Sequence, residues 1–220
     1  MNDPLRGPAL LTFDIFGTVI DWSEGLAAAA RREKIEVGPE EFQAVIDHQA
    51  RAEQSSYRSY AWILAESLTA VLGMKRAAAR AIAVDAGSWP LFADSRDGLR
   101  RLMRIAPCVA MTNSDLRHGK LAQDQLGFRL SGWISAEEVR CYKPNPAFWS
   151  GVGARRGMTF GSSWWHVSAY GDYDLDAAAR LGLTTVFVER PHSVYRPCPW
   201  RVRDLRDLAE RLERLPTSEP

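Results

Sequence analysis

The 220-residue chain has little cysteine, almost no net charge, no long apolar run and no internal repeat. Its three cysteines, Cys108, Cys141 and Cys198, cannot all pair, and none has metal-ligand spacing. A disulfide framework and a zinc module are therefore excluded, and a reduced, cytoplasmic setting is expected. Twenty-eight basic against twenty-seven acidic residues leave +1, which offers no electrostatic footprint for nucleic acid or an anionic membrane. No apolar run approaches the ~18 residues of a membrane span, and the first residues lack the charged-then-apolar pattern of a secretory signal. What is present is ordinary globular composition, 46% hydrophobic and 25% charged, which excludes disorder. At ~150 residues per domain the length suggests one large domain or a core with an insert. It is enough to bury roughly 70–75% of the unfolded surface.

Short apolar runs at 9–13, 108–112, 164–168 and 184–188 are spaced widely enough for helices between them. Continuous rather than alternating apolarity predicts parallel strands covered on both faces. Helical patterns at 94–105, 115–126, 146–157 and 174–181, with Gly182 as a stop signal, complete an α/β reading. The expected core is a Rossmann-like parallel sheet with helices on both faces. One block does not alternate. From Trp22 to Gly87 every pattern is helical, with apolar spacing of three and four at 40–56, 58–72 and 75–86. This predicts an α-helical cap over 22–87, inserted after the first strand, with 1–21 and 88–220 forming the core. A closing amphipathic helix is expected at 203–214, and residues 216–220 are expected to fray.

Ligands of open α/β sheets bind beyond the carboxyl ends of the strands. The residues following the apolar runs are Asp14, then Asn113-Ser114, then the segment 170–174, and Lys143 joins them from the loop Cys141-Tyr142-Lys143-Pro144. One strand-end Asp is as often a turn or cap residue. Several polar strand ends on one edge, with two carboxylates and a lysine, point instead to a site.

In order, Phe13-Asp14-Ile15-Phe16-Gly17-Thr18, Thr112-Asn113-Ser114, Tyr142-Lys143-Pro144 and an acidic segment ending at Asp174 resemble the haloacid dehalogenase (HAD) superfamily. Asp21-Trp22 and Lys143-Pro144-Asn145-Pro146 bring the chain nearest to its type II 2-haloacid dehalogenase branch. The resemblance spans residues 13–182 and implies a hydrolase that cleaves the carbon–halogen bond of short 2-haloalkanoic acids, of the (S)-2-haloacid dehalogenase kind. Asp14 is then the nucleophile, forming an aspartyl ester. Lys143 keeps it ionised, Thr18 and Ser168 support it and the hydrolytic water, and Asp174 orients the lysine or activates that water. Phe16, Thr112, Asn113, Ser114, Trp149 and Arg51 are expected to bind the carboxylate substrate. The helix after Ser114 is expected to offer its first amides to the carboxylate.

The alternative is a Mg²⁺-dependent HAD phosphatase acting on a small phosphate ester. Phosphatases of this superfamily carry a second Asp two residues after the nucleophile to protonate an alkoxide. Here that position is Phe16, and halide needs no proton. Counting back from Gly182 puts Asp174 at the second acid position of the fourth motif and Ala169 or Tyr170 at the first, an incomplete metal set, although Gly171-Asp172 and Asp176 mimic a phosphatase spacing. No metal and no cofactor are therefore expected. A third reading, a non-catalytic relative, conflicts with intact Asp14 and Lys143. The chain departs from type II enzymes at Gly171, where an Asn is usual, and at Trp149, where a Tyr is usual. The halide-gripping cap arginine is matched only by Arg51 or Arg58. His48, His118, His166 and His192 share no ligand spacing and are read as structural or exposed. A homodimer is compatible with the family resemblance.

Overall fold

The computed structural model describes residues 7–215, so the expected fraying of 216–220 lies outside the described residues. The four apolar runs become strands β1 (Leu10–Phe13), β2 (Cys108–Thr112), β4 (Trp164–Ser168) and β5 (Thr184–Val188). They form the middle of a parallel six-stranded sheet of order β3-β2-β1-β4-β5-β6. All residues of β1, β2 and β4 are buried, as expected where helices cover both faces. Strands β3 (Gly132–Ser135) and β6 (Trp200–Val202) occupy the two edges. Covered less completely, they lack the continuous apolar signal and are not predicted by it.

The register brings the site together. Phe13 pairs with both Ala110 and Val167, so the carboxyl ends of β1, β2 and β4 lie side by side. The strand order also reverses between β1 and β4, the place where ligands enter such sheets. Around the sheet lie α5 (Ser95–Leu102), α6 (Leu116–Leu126), α7 (Ala136–Val139), α8 (Pro146–Arg156), α9 (Asp176–Arg180) and α10 (Leu205–Glu213). The helix expected over 174–181 is shorter than predicted. A π turn, Gly171–Leu175, precedes α9 and takes up residues that a plain α-helix would have aimed elsewhere.

Between β1 and β2 the described residues form α1 (Trp22–Arg32), α2 (Pro39–Glu53), α3 (Tyr60–Leu72) and α4 (Arg76–Asp85), followed by a short 3₁₀ turn. Local chemistry sets their ends. The Asp21 carboxylate accepts from the Glu24 amide at 3.0 Å, and Ser59 caps Trp62. α3 stops at Gly73, whose φ of +64° suits glycine. Trp22 anchors the block, with its ring 4.9 Å from Phe42 and its Nε1 donating to the Tyr60 hydroxyl at 3.0 Å. These residues share one apolar cluster with Phe13 and Ile15 of the nucleophile region. No helix among the described residues is long and apolar enough to cross a membrane.

A buried ion pair supports the loop after β1. Both guanidinium ends of Arg190 reach the Asp94 carboxylate at 2.8 Å, its Nε donates to the Thr18 carbonyl at 3.0 Å, and Leu205 donates its amide to Asp94. Burial works against the Asp94 charge, but Arg190 and the Leu205 amide outweigh it and hold the carboxyl below its usual range. A carboxyl lowered in the folded state adds stability above its unfolded pKa and loses it as the pH falls. Asp94→Ala should therefore lose about 3–5 kcal/mol at neutral pH by stranding Arg190. In denaturant titrations the gap from wild type should narrow below about pH 4. A pH-independent gap would remove the ion pair from the account.

Candidate active site

Asp14 follows directly on β1, its amide donating to Val167 of β4 at 3.0 Å. The chain then turns sharply. Gly17 has φ +88°, and a Cβ there would run into the Tyr170 hydroxyl, so glycine is required on two grounds. The turn returns Thr18 beneath the carboxylate, where its hydroxyl donates to Asp14 Oδ2 at 2.7 Å and accepts from the Ala169 amide at 3.0 Å.

Lys143 reaches in from the loop between α7 and α8. Its Nζ lies 3.0 Å from Asp14 Oδ1 and 2.8 Å from Asp174 Oδ2. All three side chains are essentially closed to solvent, at 4% exposure or less. Asn113, past the end of β2, pins the lysine's backbone from both sides. Its Oδ1 accepts from Lys143 N at 2.7 Å, and its Nδ2 donates to Lys143 O at 3.1 Å. Asn113 is thus a positioning residue for the lysine, a role the sequence reading did not give it.

Burial dominates the charges here. It pushes Asp14 up, helped by Asp174, and the opposing pull of Lys143 and Thr18 does not fully offset it. Asp174 is buried too, but Lys143 and His166 together hold it well below the carboxylate range. For Lys143, burial opposes its charge and the two carboxylates outweigh that opposition, so its pKa rises. At neutral pH the lysine and Asp174 are therefore charged.

Two residues missed in the sequence belong to this cluster. His166 Nε2 lies 3.1 Å from Asp174 Oδ2, with the ring wholly buried in β4. Its Nδ1 is 2.9 Å from Thr12 Oγ1, which itself accepts from Trp164 Nε1. The Thr12 hydroxyl also reaches the Trp165 carbonyl at 3.3 Å, and Nε2 is the ring nitrogen that faces Asp174. A histidine in the middle of an apolar strand was the available signal. The second is Glu53, the last residue of α2, whose Oε2 accepts from Asn113 Nδ2 at 3.0 Å. Burial of its carboxyl raises the pKa to about 8, with Asp14 adding and Asn113 and Lys143 opposing.

Other expected site residues lie elsewhere. Arg51 is exposed, and Arg58 is exposed with its guanidinium 4.9 Å over the Trp62 ring, so neither enters the site. Arg51 is a solvated charge on α2, and Arg58 lies in the loop between α2 and α3. Trp149 is fully buried in α8 and packs edge-on against His166 at 4.6 Å, supporting that ring rather than lining a pocket. The Ser168 hydroxyl accepts from the Tyr170 amide within its own turn and does not bond to Asp14. Phe16 packs between Tyr60, at 5.7 Å, and His118, at 6.0 Å. Thr112 and Ser114 are buried and bonded to each other at 3.1 Å. The first amides of α6 are engaged, Asp115 N by His118 Nδ1 and Leu116 N by Glu137. Among the described residues, the amides of Asn113 and Ser114 donate to no protein acceptor. Asp115 sends its carboxylate across to the amides of Tyr60 and Ala61, tying α3 to this edge of the sheet.

These residues do not fit Mg²⁺. A divalent cation needs several oxygens turned to one point, but the gap between Asp14 and Asp174 holds the Lys143 ammonium. Asp172 is exposed and bonds to the Tyr173 amide, and Asp176 opens α9 half-exposed. No group of three metal-ligating side chains occurs among the described residues.

No protein-family model and no curated protein matches the chain. Solved structures do. The defluorinating L-2-haloacid dehalogenase Rha0230 is 24% identical with a TM-score of 0.77, over 94% of this chain and 96% of that one. The Xanthobacter autotrophicus L-2-haloacid dehalogenase with chloropropionic acid covalently bound is 17% identical with a TM-score of 0.81, over 95% and 100%. The Bacillus subtilis putative HAD-hydrolase YfnB bound to magnesium is 14% identical with a TM-score of 0.77, over 94% and 100%. The chain therefore has the fold that HAD dehalogenases and a HAD hydrolase share.

Proposed function

We propose that the chain is a HAD-superfamily hydrolase of the L-2-haloacid dehalogenase kind, splitting carbon–halogen bonds without a metal. One observation carries the reading: Lys143 bridges Asp14 and Asp174 in a closed site where the residue two after the nucleophile is Phe16. The fold shared with L-2-haloacid dehalogenases supports it. The helical segment 22–87 serves as the cap, with Phe16 and Tyr60 meeting where it faces the core.

Asp14 attacks the halogen-bearing carbon through an oxygen that Thr18 and Lys143 hold in place, and the bonding pair leaves with the halide. An ester to Asp14 results. The free amides of Asn113 and Ser114 take the substrate carboxylate. Asp174 Oδ1 is buried with no protein partner among the described residues, so it is available to hold a water. That water adds to the ester carbonyl of Asp14, releasing a 2-hydroxy acid and restoring the carboxylate. Lys143 stays charged throughout and neutralises what develops on the ester oxygen.

The test compares halide release from 2-chloropropionate with hydrolysis of an alkyl phosphate, each with excess Mg²⁺ and with EDTA. Halide should appear at the same rate in both buffers, and the phosphate should be inert. Aryl phosphates are a poor probe because their leaving group hardly needs a proton. Mg²⁺-dependent phosphate release, with no halide from any short 2-haloacid, would replace this reading with the phosphatase.

A further inference from the structure

The end of α2 brings a half-buried carboxyl group against Asn113, beside the lysine loop. Glu53 Oε2 is 3.0 Å from Asn113 Nδ2, on the same side-chain amide that clamps the backbone of Lys143. Among the described residues no cation pairs with it. Lys143 is taken by Asp14 and Asp174, and Arg51, two residues earlier, faces solvent. Glu53 nevertheless lies near enough for the charges of Asp14 and Lys143 to act on it. Burial and the charge of Asp14 hold this carboxyl towards the acid, against the pull of the Asn113 amide and Lys143. The position two after Asp14 holds Phe16, which has no proton to give.

We propose that Glu53 is a further catalytic residue, a general acid that protonates the group leaving the carbon attacked by Asp14. The inference rests on the carbon–halogen reading above. As the Asp14 oxygen–carbon bond forms and a carbon–fluorine bond breaks, the departing fluoride takes the Glu53 proton and leaves as hydrogen fluoride; chloride and bromide leave as free ions with Glu53 still protonated. Glu53 is left as a carboxylate, and the proton released when water adds to the ester restores it. Such help matters little for bromide and most for fluoride, the halide with the greatest proton affinity. The substrate class it points to is 2-fluorocarboxylates.

The neighbours of Glu53 leave it alone in its pH range. Tyr60 on α3, Tyr142 in the lysine loop and Tyr173 in the π turn are each pushed above the ordinary phenol range, chiefly by burial. Lys143 is raised above the ordinary amine range. An alkaline limb near pH 8 therefore belongs to Glu53.

The test measures halide release from 2-fluoro-, 2-chloro- and 2-bromopropionate across pH for wild type and Glu53→Gln. Gln keeps an acceptor for Asn113 but has no acidic proton. Fluoride release should fall by roughly 10²-fold or more, with bromide release falling only a few-fold. The alkaline limb on fluoride kcat/KM should vanish. Equal losses for all three halides, or a limb that survives, would make Glu53 a packing residue and overturn the proposal alone. Wild type that frees no halide from any of the three would overturn the dehalogenase reading and this step with it. If the variant does not fold, wild type decides: a limb near pH 8 for fluoride but not bromide supports the acid, and identical profiles overturn it.

Discussion

Asp14→Asn should yield a folded protein whose halide release from a 2-haloacid is at least roughly 10⁴-fold lower, the scale of removing a nucleophile from a preorganised site. The amide oxygen still accepts from Thr18, so the turn after β1 keeps its shape. Stability should move the other way from activity. Burial raises the Asp14 pKa in the folded state, so its ionisation at neutral pH costs the fold free energy that is recovered on acidification. The variant should therefore melt at or above the wild-type temperature at pH 7, with the advantage shrinking as the pH falls through the raised pKa of Asp14 and gone below the ordinary carboxylate range. Retained turnover with an unchanged melting curve would take Asp14 out of the mechanism.

Lys143→Ala should be harmful on both counts. It leaves Asp14 and Asp174 facing each other, both closed to solvent, with no cation between them. Turnover should drop by roughly 10²–10³-fold, as for other losses of preorganised charge stabilisation. Stability at neutral pH should drop by about 3–5 kcal/mol, the range for breaking a buried ion pair. Without the lysine, burial of Asp14 is opposed only by Thr18, and its folded pKa lies further above its unfolded one. Stability is then present at low pH and lost as the pH rises through that value. Thermal melts should accordingly place the variant closer to wild type at pH 4 than at pH 7. Preserved turnover with a wild-type pH–rate profile would make Lys143 an ordinary loop residue.

These expectations draw on parts of the molecule that were unequally visible in the sequence. The central strands showed because burial on both faces leaves uninterrupted apolar runs, and Asp14, Lys143 and Asp174 showed because they follow strand ends or sit in a tight loop. Edge strands β3 and β6, covered less completely, carry no such signature. Trp149 was misread because sequence spacing does not say which side of a sheet a helix residue meets. Its ring supports His166 from behind. Arg51 and Arg58 were considered for their charge, yet the side chain that α2 brings to the site is Glu53, two residues along from Arg51. Only tertiary packing distinguishes a solvated helix charge from one pressed against Asn113. The π turn before α9 was equally hidden, since a one-residue change of helical pitch leaves the apolar pattern almost unaltered.

The central claim is that Asp14 is esterified and that water then attacks its own carboxyl carbon. Single turnover in ¹⁸O-water, with enzyme in excess over a 2-haloacid that releases halide, tests this directly. Mass spectrometry of the peptide containing Asp14 should show one ¹⁸O in its carboxylate, and the 2-hydroxy acid of that first turnover should be unlabelled. Label in the product alone, with Asp14 unlabelled, would mean that water attacks the substrate carbon and that no aspartyl ester forms.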